Sequence, residues 1–301
     1  MFIGIIFYRF IIKCIKLWYN TVKMNRIKLK SKNRSREYFI HFCQSGRKIS
    51  MEIIMGLAFF IYGTIWGSFF NVVGLRVPNK TFFKQKRSYC DHCRRTLSWI
   101  ELIPIVSYIF SHGRCKKCQQ KISPLYPIIE CLTGIIFAFT YYRVGWNPTL
   151  ILGLLLISLV IPITVSDLVY QKIPNSLLLF FTPLFILYRF FYPLNPWWNS
   201  LTGALFAFIL IFTMIFLSQG GMGMGDLKYF TLLGFIFGIP QFLLLLFFSS
   251  LFCSVAGLTL LTIDKNNLKK KIPFGPSIGL AALLIFYYGE EIIQRYLQLF
   301  Y

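Results

Sequence analysis

From Met51 to the C-terminus, eight apolar stretches close to membrane-crossing length follow one another with only short polar breaks, near 51–74, 125–142, 149–166, 176–191, 200–218, 227–239, 241–262 and 277–297. A hydrocarbon core of ~30 Å takes about 20 apolar residues to cross as a helix. Lipid offers no partner to backbone N–H and C=O groups, so each stretch must satisfy its own as a helix. The expected fold is therefore all-α, a polytopic membrane protein of about eight transmembrane helices. Composition agrees, because 56% of the chain is hydrophobic, where soluble domains hold about 45–50%. The sixth stretch has only 13 residues, with Gly238 and Pro240 at its end. It is expected to be tilted, locally thinned or re-entrant.

The formal charge of +22 invites a nucleic-acid reading that its distribution excludes. Residues 1–50 hold 12 Lys/Arg against one acid and residues 76–123 hold 11 against two, which leaves +2 for all the rest. Charge parked in membrane-flanking segments is what retention of Lys and Arg on the cytoplasmic side produces. Lys and Arg also mark alternate connections, with Lys172, Lys228 and the run 264–271 on one side and the uncharged 192–199 on the other. That alternation puts residues 76–123 in the cytoplasm and gives Trp197 and Trp198 the place of outer interfacial anchors. Four segments are expected: a basic extension over 1–50, a first transmembrane helix over 51–75, a cytoplasmic insert over 76–123, and a membrane domain over 124–301. Residues 1–50 would leave +11 outside: either the positive-inside rule is violated there, or the apolar stretch Phe2–Tyr19 makes a compensating arrangement, or translation begins near Met51, which is the favoured expectation.

The insert contains Cys90-Asp-His-Cys93, then 21 residues, then Cys115-Lys-Lys-Cys118. A basic insert facing the reducing cytoplasm argues against disulfides. Two CxxC turns present four soft thiolates that can close a tetrahedral Zn²⁺ site, and so small an insert needs such a tie. Cys90, Cys93, Cys115 and Cys118 are the expected ligands of a structural zinc. Redox thiols are the alternative, although no thioredoxin-like pattern surrounds either pair. Four protein ligands leave no open coordination position, so this zinc would fold the insert without cleaving a bond.

Chemistry has to be sought among the acids at span ends, which are few and costly enough to be functional by default. Asp167 ends the third span and Asp226 opens the sixth; by the charge alternation both lie at the same face. Two neighbouring carboxylates cannot both ionise cheaply, so one can activate water while the other delivers a proton. Gly223 and Gly225, just before Asp226, would let a peptide backbone approach. The alternative is that each Asp caps a helix end or pairs with Lys172 or Lys228. Arg76 and Glu130 are expected either to pair and orient the insert or to stand as separate snorkelling residues. Cys131 and Cys253 read as small core residues. Gly56, Gly63 and Gly67 have the spacing of a close helix contact.

Five stretches, together with the cysteine pairs, resemble the prepilin peptidase family, also called type IV leader peptidases. They are Gly67 to Pro78, including Asn71 and Arg76; Pro124 to Glu130; Asp167 to Asn175, including Pro174; Gly223 to Lys228; and Pro273 to Pro276. The resemblance spans about residues 51–297 in order. It implies a membrane aspartyl peptidase with Asp167 and Asp226 catalytic, removing the short basic leader of prepilins or pseudopilins after a glycine. It also implies, for many members, methyl transfer from S-adenosylmethionine to the new N-terminal amine, although no methyl-donor fold is recognisable in the sequence. Expected partners are prepilin or pseudopilin precursors and the lipid bilayer. A preflagellin-type or other GxGD peptidase is the nearest alternative. A non-enzymatic cation transporter or metal-handling membrane protein is the alternative of another class, but inverted repeats and mid-span acids are absent.

Overall fold

The structure is a computed structural model, which describes residues 34–82, 87–90, 92–218, 222–263 and 272–299. The expected start near Met51 concerns a segment whose first 33 residues lie outside the described ones. Two units are distinguished, residues 1–53 and residues 54–301; the second carries everything that follows.

Every apolar stretch becomes a helix. In chain order these are α1 (Arg34–Arg76), α2 (Val106–Phe110), α3 (Leu125–Val144), α4 (Pro148–Tyr170), α5 (Asn175–Phe191), α6 (Asn199–Leu217), α7 (Met224–Phe237), α8 (Ile239–Ile263) and α9 (Gly275–Gln298). Among the described residues, α2 and the 3-10 turn Ile100–Leu102 are additions within the insert, and α1 begins at Arg34, ahead of the first span. Six helices among the described residues are long and apolar enough to cross a membrane: the Met51–Arg76 part of α1, α3, α4, α6, the Ile239–Leu260 part of α8, and α9. The chain is thus a multi-pass membrane protein. The helices α5, with 17 residues, and α7, with 14, fall below that length.

α4 is the hub, packing against α3, α5 and α9. It is apolar all round, the pattern of an enclosed helix, and Leu156, Ile157, Leu159, Ile163 and Val165 are fully buried. Pro148 opens it, where a missing N–H costs nothing. Gln171 closes it in the left-handed conformation at φ 52°.

The brevity of α7 is tolerated because protein, rather than lipid, encloses it. Tyr229, Phe230, Leu233 and Ile236 are fully buried. Close approach of α6 depends on small residues: a Cβ on Gly234 would stand 2.6 Å from Ala207 Cβ, and one on Gly203 would stand 2.4 Å from the Gly234 carbonyl oxygen. Two side chains secure the end of α7. Arg189 of α5 donates to the Ile236 carbonyl, and Asn199 Oδ1 accepts the Ile239 N–H at 3.4 Å, just beyond Gly238 at φ 76°. These bonds serve carbonyl and amide groups that a helix end leaves over.

Glycine packing on the first span begins at Gly63 and runs toward its C-terminal end. A Cβ at Gly63 would strike Phe137 and Gly134 at 2.7–2.8 Å, and one at Gly67 would meet Glu130 and Thr133 at 2.9 Å. Gly56, the third glycine in the spacing, has nothing within 4 Å.

Candidate active site at one end of the bundle

Asp167 lies in the last turn of α4 and Asp226 in the first turn of α7. Opposite chain directions bring these two turns to the same end of the bundle, where both carboxylates line one cleft of about 550 Å³. Its walls are Val77, Pro78 and Lys80 just beyond α1, Gln171 to Ser176 between α4 and α5, and Gly223 and Gly225.

Each carboxylate is held by one backbone N–H at a helix N-terminus. Asp226 Oδ2 accepts from Gly223 N at 3.1 Å, at the head of its own helix. Asp167 stands at the C-terminal end of α4, where the helix dipole opposes negative charge, and its Oδ2 accepts from Gly275 N at 2.7 Å, at the head of α9. This contact requires a glycine, since a Cβ at residue 275 would lie 2.9 Å from Asp167 Oδ2 and 3.0 Å from its Cβ. Gly225 is fitted similarly, with its Cβ position 3.0 Å from Ile173 Cβ.

The turn carrying Asp167 is fixed locally. Ser166 Oγ donates to the Lys172 carbonyl at 2.6 Å, and Pro174 ends the irregular stretch immediately before α5. Lys228 Nζ donates to Asn175 Oδ1 at 3.1 Å, which ties α7 to the head of α5. The ion pairs seen among the described residues are Arg95–Glu101 and Arg143–Glu291, so neither aspartate is spent on a lysine there.

Of the residues singled out from the sequence, Asp167, Asp226, Gly223, Gly225 and Pro174 meet in the cleft, and Lys228 stands beside it through Asn175. The other three serve the root of the insert. Asn71 Nδ2 donates to the Tyr126 carbonyl at 3.2 Å. Glu130 accepts the Ile105 N–H at 2.8 Å and bonds the Ser68 side chain. Arg76 donates to the Arg87 carbonyl at 3.4 Å and lies 5.8 Å from the Tyr89 ring centroid. Sequence reasoning gave Val77 and Pro78 a place in a motif without the wall they form, and missed Lys80. It also gave Gly275 a place in a motif without the bond to Asp167, which no local pattern could reveal across 108 residues.

The insert folds as two matching knuckles. In each, the first cysteine accepts from the residue four positions on, Arg94 or Gln119, and donates to the carbonyl five positions on, Arg95 or Gln120. Arg94 and Gln119 both take positive φ, and isolated bridges Tyr89↔Thr96 and Arg114↔Lys121 close the two loops. The four Sγ atoms lie within 4.8 Å of one another, with Cys90–Cys118 at 3.7 Å and Cys93–Cys115 at 4.0 Å. Tetrahedral Zn–S bonds of about 2.3 Å require edges of about 3.8 Å. The spacing of the four Sγ atoms therefore fits that ion. Backbone N–H groups of Cys118 and Lys117 lower the Cys115 thiol to about 6, whereas Cys118, although the Gln120 N–H lowers it, is raised to about 11 by burial and its cysteine neighbours.

A multi-pass helical protein with two carboxylates in a cleft at one end of its bundle and a four-cysteine insert at the root of that cleft has the build of an intramembrane aspartyl peptidase. Two family models match the chain, the bacterial peptidase A24 N-terminal domain over residues 61–144 and the type IV leader peptidase family over residues 154–258. The chain belongs to the type IV leader peptidase family. It is similar to the prepilin leader peptidase/N-methyltransferase of Bacillus subtilis (strain 168), 36% identical over 240 residues that cover 80% of this chain and 97% of that protein. Proteins of the same name from Neisseria gonorrhoeae and Aeromonas hydrophila are 30% and 28% identical, covering 77% and 79% of this chain and 90% and 92% of their own lengths. No solved structure matches it.

Proposed function

We propose that the chain is a prepilin leader peptidase, an aspartic endopeptidase that removes the basic leader of type IV prepilins or pseudopilins at the cytoplasmic face of the membrane. The observation that carries this reading is the meeting of Asp167 and Asp226 in one cleft, each held by a helix N-terminus. In the mechanism, one carboxylate is ionised and takes a proton from the attacking water. The other, protonated, donates to the scissile carbonyl, and the proton taken from water passes to the leaving amine. The Gly275 and Gly223 N–H groups hold the two side chains in place as the proton moves, so little reorganisation accompanies the reaction.

The substrate is itself a membrane protein, whose apolar N-terminal helix stays among lipids while its leader reaches the cleft from the cytoplasm. Charge alternation along the connections supports that orientation. Zn²⁺ would be held by Cys90, Cys93, Cys115 and Cys118 as a structural tie, remote from bond cleavage. The relatives' names add an N-methyltransferase activity, for which the freed amine is the expected acceptor and S-adenosylmethionine the expected donor. A product heavier by one methyl group when that donor is present would establish it here.

Purified protein incubated with a model prepilin tests the peptidase reading. Wild type is expected to trim the leader, while Asp167→Asn and Asp226→Asn, similar in size but without the acid, remain folded and inert. Normal cleavage by either variant overturns the assignment.

A further inference from the structure

Between the cysteine pairs, residues 96–111 contain a single charged residue, Glu101. That charge is internally spent: Glu101 accepts from Arg95 at 2.6 Å and from the Ser98 N–H and hydroxyl at 2.9 and 3.0 Å. What the segment offers outward is apolar, with Trp99 at 76% exposure, Ile109 at 65% and Phe110 at 78%, and Ile100, Leu102 and Val106 also exposed. A contiguous apolar face of this kind on an otherwise basic insert marks an interaction surface.

Its depth is fixed by one bond. Ile105, in the middle of the segment, donates its N–H to Glu130 Oε2 at 2.8 Å. Glu130 is the sixth residue of α3, so at ~1.5 Å per residue its backbone lies about 7.5 Å inside the helix from its first residue. Interfacial segments bury their apolar faces to about 5–10 Å, at the boundary between headgroups and acyl chains. A backbone N–H at that depth has lost water as a partner, and the buried Glu130 supplies one. Arg94, Arg114, Lys116, Lys117 and Lys121 stand exposed on the two knuckles that flank the segment, complementary to anionic headgroups.

We propose that residues 99–110 are a membrane-interface anchor: the Trp99–Phe110 face seats in the bilayer beside α3, and the zinc knuckles lie on the headgroups to either side. The insert is then a lipid-docked wall of the cleft, bound to the bilayer independently of any peptide. A photoreactive benzophenone side chain at Trp99 or Phe110, in full-length protein in nanodiscs of phosphatidylethanolamine and phosphatidylglycerol, tests this. Both positions are exposed, so folding is not at issue, and the same probe at Phe180, exposed on α5, calibrates the yield for a lipid-facing residue. The expected result is acyl-chain adducts at Trp99 and Phe110 comparable to those at Phe180. Adducts at Phe180 with none at the two insert positions overturn the proposal. So do adducts there to protein, whether a second copy or an added model prepilin, in place of lipid.

Discussion

The proposed chemistry reduces to a few atoms around two side chains, and Gly275 is the closest-fitted of their neighbours. Replacing it with alanine leaves its N–H but pushes a methyl group against Asp167 Oδ2. Displacement of a reacting group by ~1 Å can cost on the order of 10²-fold in rate. Gly275→Ala is expected to lower kcat by about that factor in a prepilin cleavage assay, with KM little changed. Asp167 and Asp226 were legible in the sequence because acids at span ends are scarce. Their anchoring was not, since it joins residue 167 to residue 275 through space. Arg76 and Glu130 were expected either to pair or to stand as separate snorkelling residues; they stand apart, and the Glu130 carboxylate goes to the backbone of the insert, a partner with no side-chain signature.

Among the elements, the insert gathers four cysteines and, among its described residues, the Arg95–Glu101 ion pair. About one zinc per chain is expected by elemental analysis, and Cys93→Ser should abolish it and open residues 87–123 to proteolysis while the membrane helices stay protected. The Arg95–Glu101 tie adds a pH dependence. The Glu101 carboxylate is held below the ordinary carboxylate range, chiefly by the Ser98 N–H and then by Arg95 and the Ser98 hydroxyl. Its contribution is therefore complete above the unfolded value and is lost as pH falls through the lowered folded one. Hydrogen exchange of residues 95–101 should be slower in wild type than in Glu101→Gln at neutral pH, with the two converging in acid. Helix positions were readable from apolar runs, but their ends were not. The third span was expected to stop at 166, yet α4 continues to Tyr170 and carries Asp167 within its last turn. Residues 99–110 escaped notice as an apolar unit because the basic, cysteine-rich surroundings of the insert dominated its reading. At the α6–α7 contact, Gly203→Leu would drive a side chain into the Gly234 carbonyl. Overpacking of this kind typically costs about 1–3 kcal/mol, so a lower unfolding temperature in detergent is expected.

For the whole molecule, the proposed orientation rests on the alternation of charge along the connections. The cysteine knuckles and the carboxylate cleft share one end of the bundle, and Trp197 and Trp198 lie exposed on the charge-free connection between α5 and α6. After chelation, a membrane-impermeant maleimide should label the knuckle thiols in inside-out vesicles and spare them in right-side-out ones; the reverse pattern would invert the topology. That one end was foreseeable from alternating Lys and Arg, whereas the enclosure of the short α7 depended on packing that no single stretch of sequence announces. The bond from the first N–H of α9 to Asp167 also imposes an order in time. A chain emerging from the ribosome places α4 and α7 in the membrane well before α9, and until that last helix docks, one of the two carboxylates lacks its anchor. Assembly of the cleft therefore waits on the docking of α9, the helix whose first N–H holds Asp167.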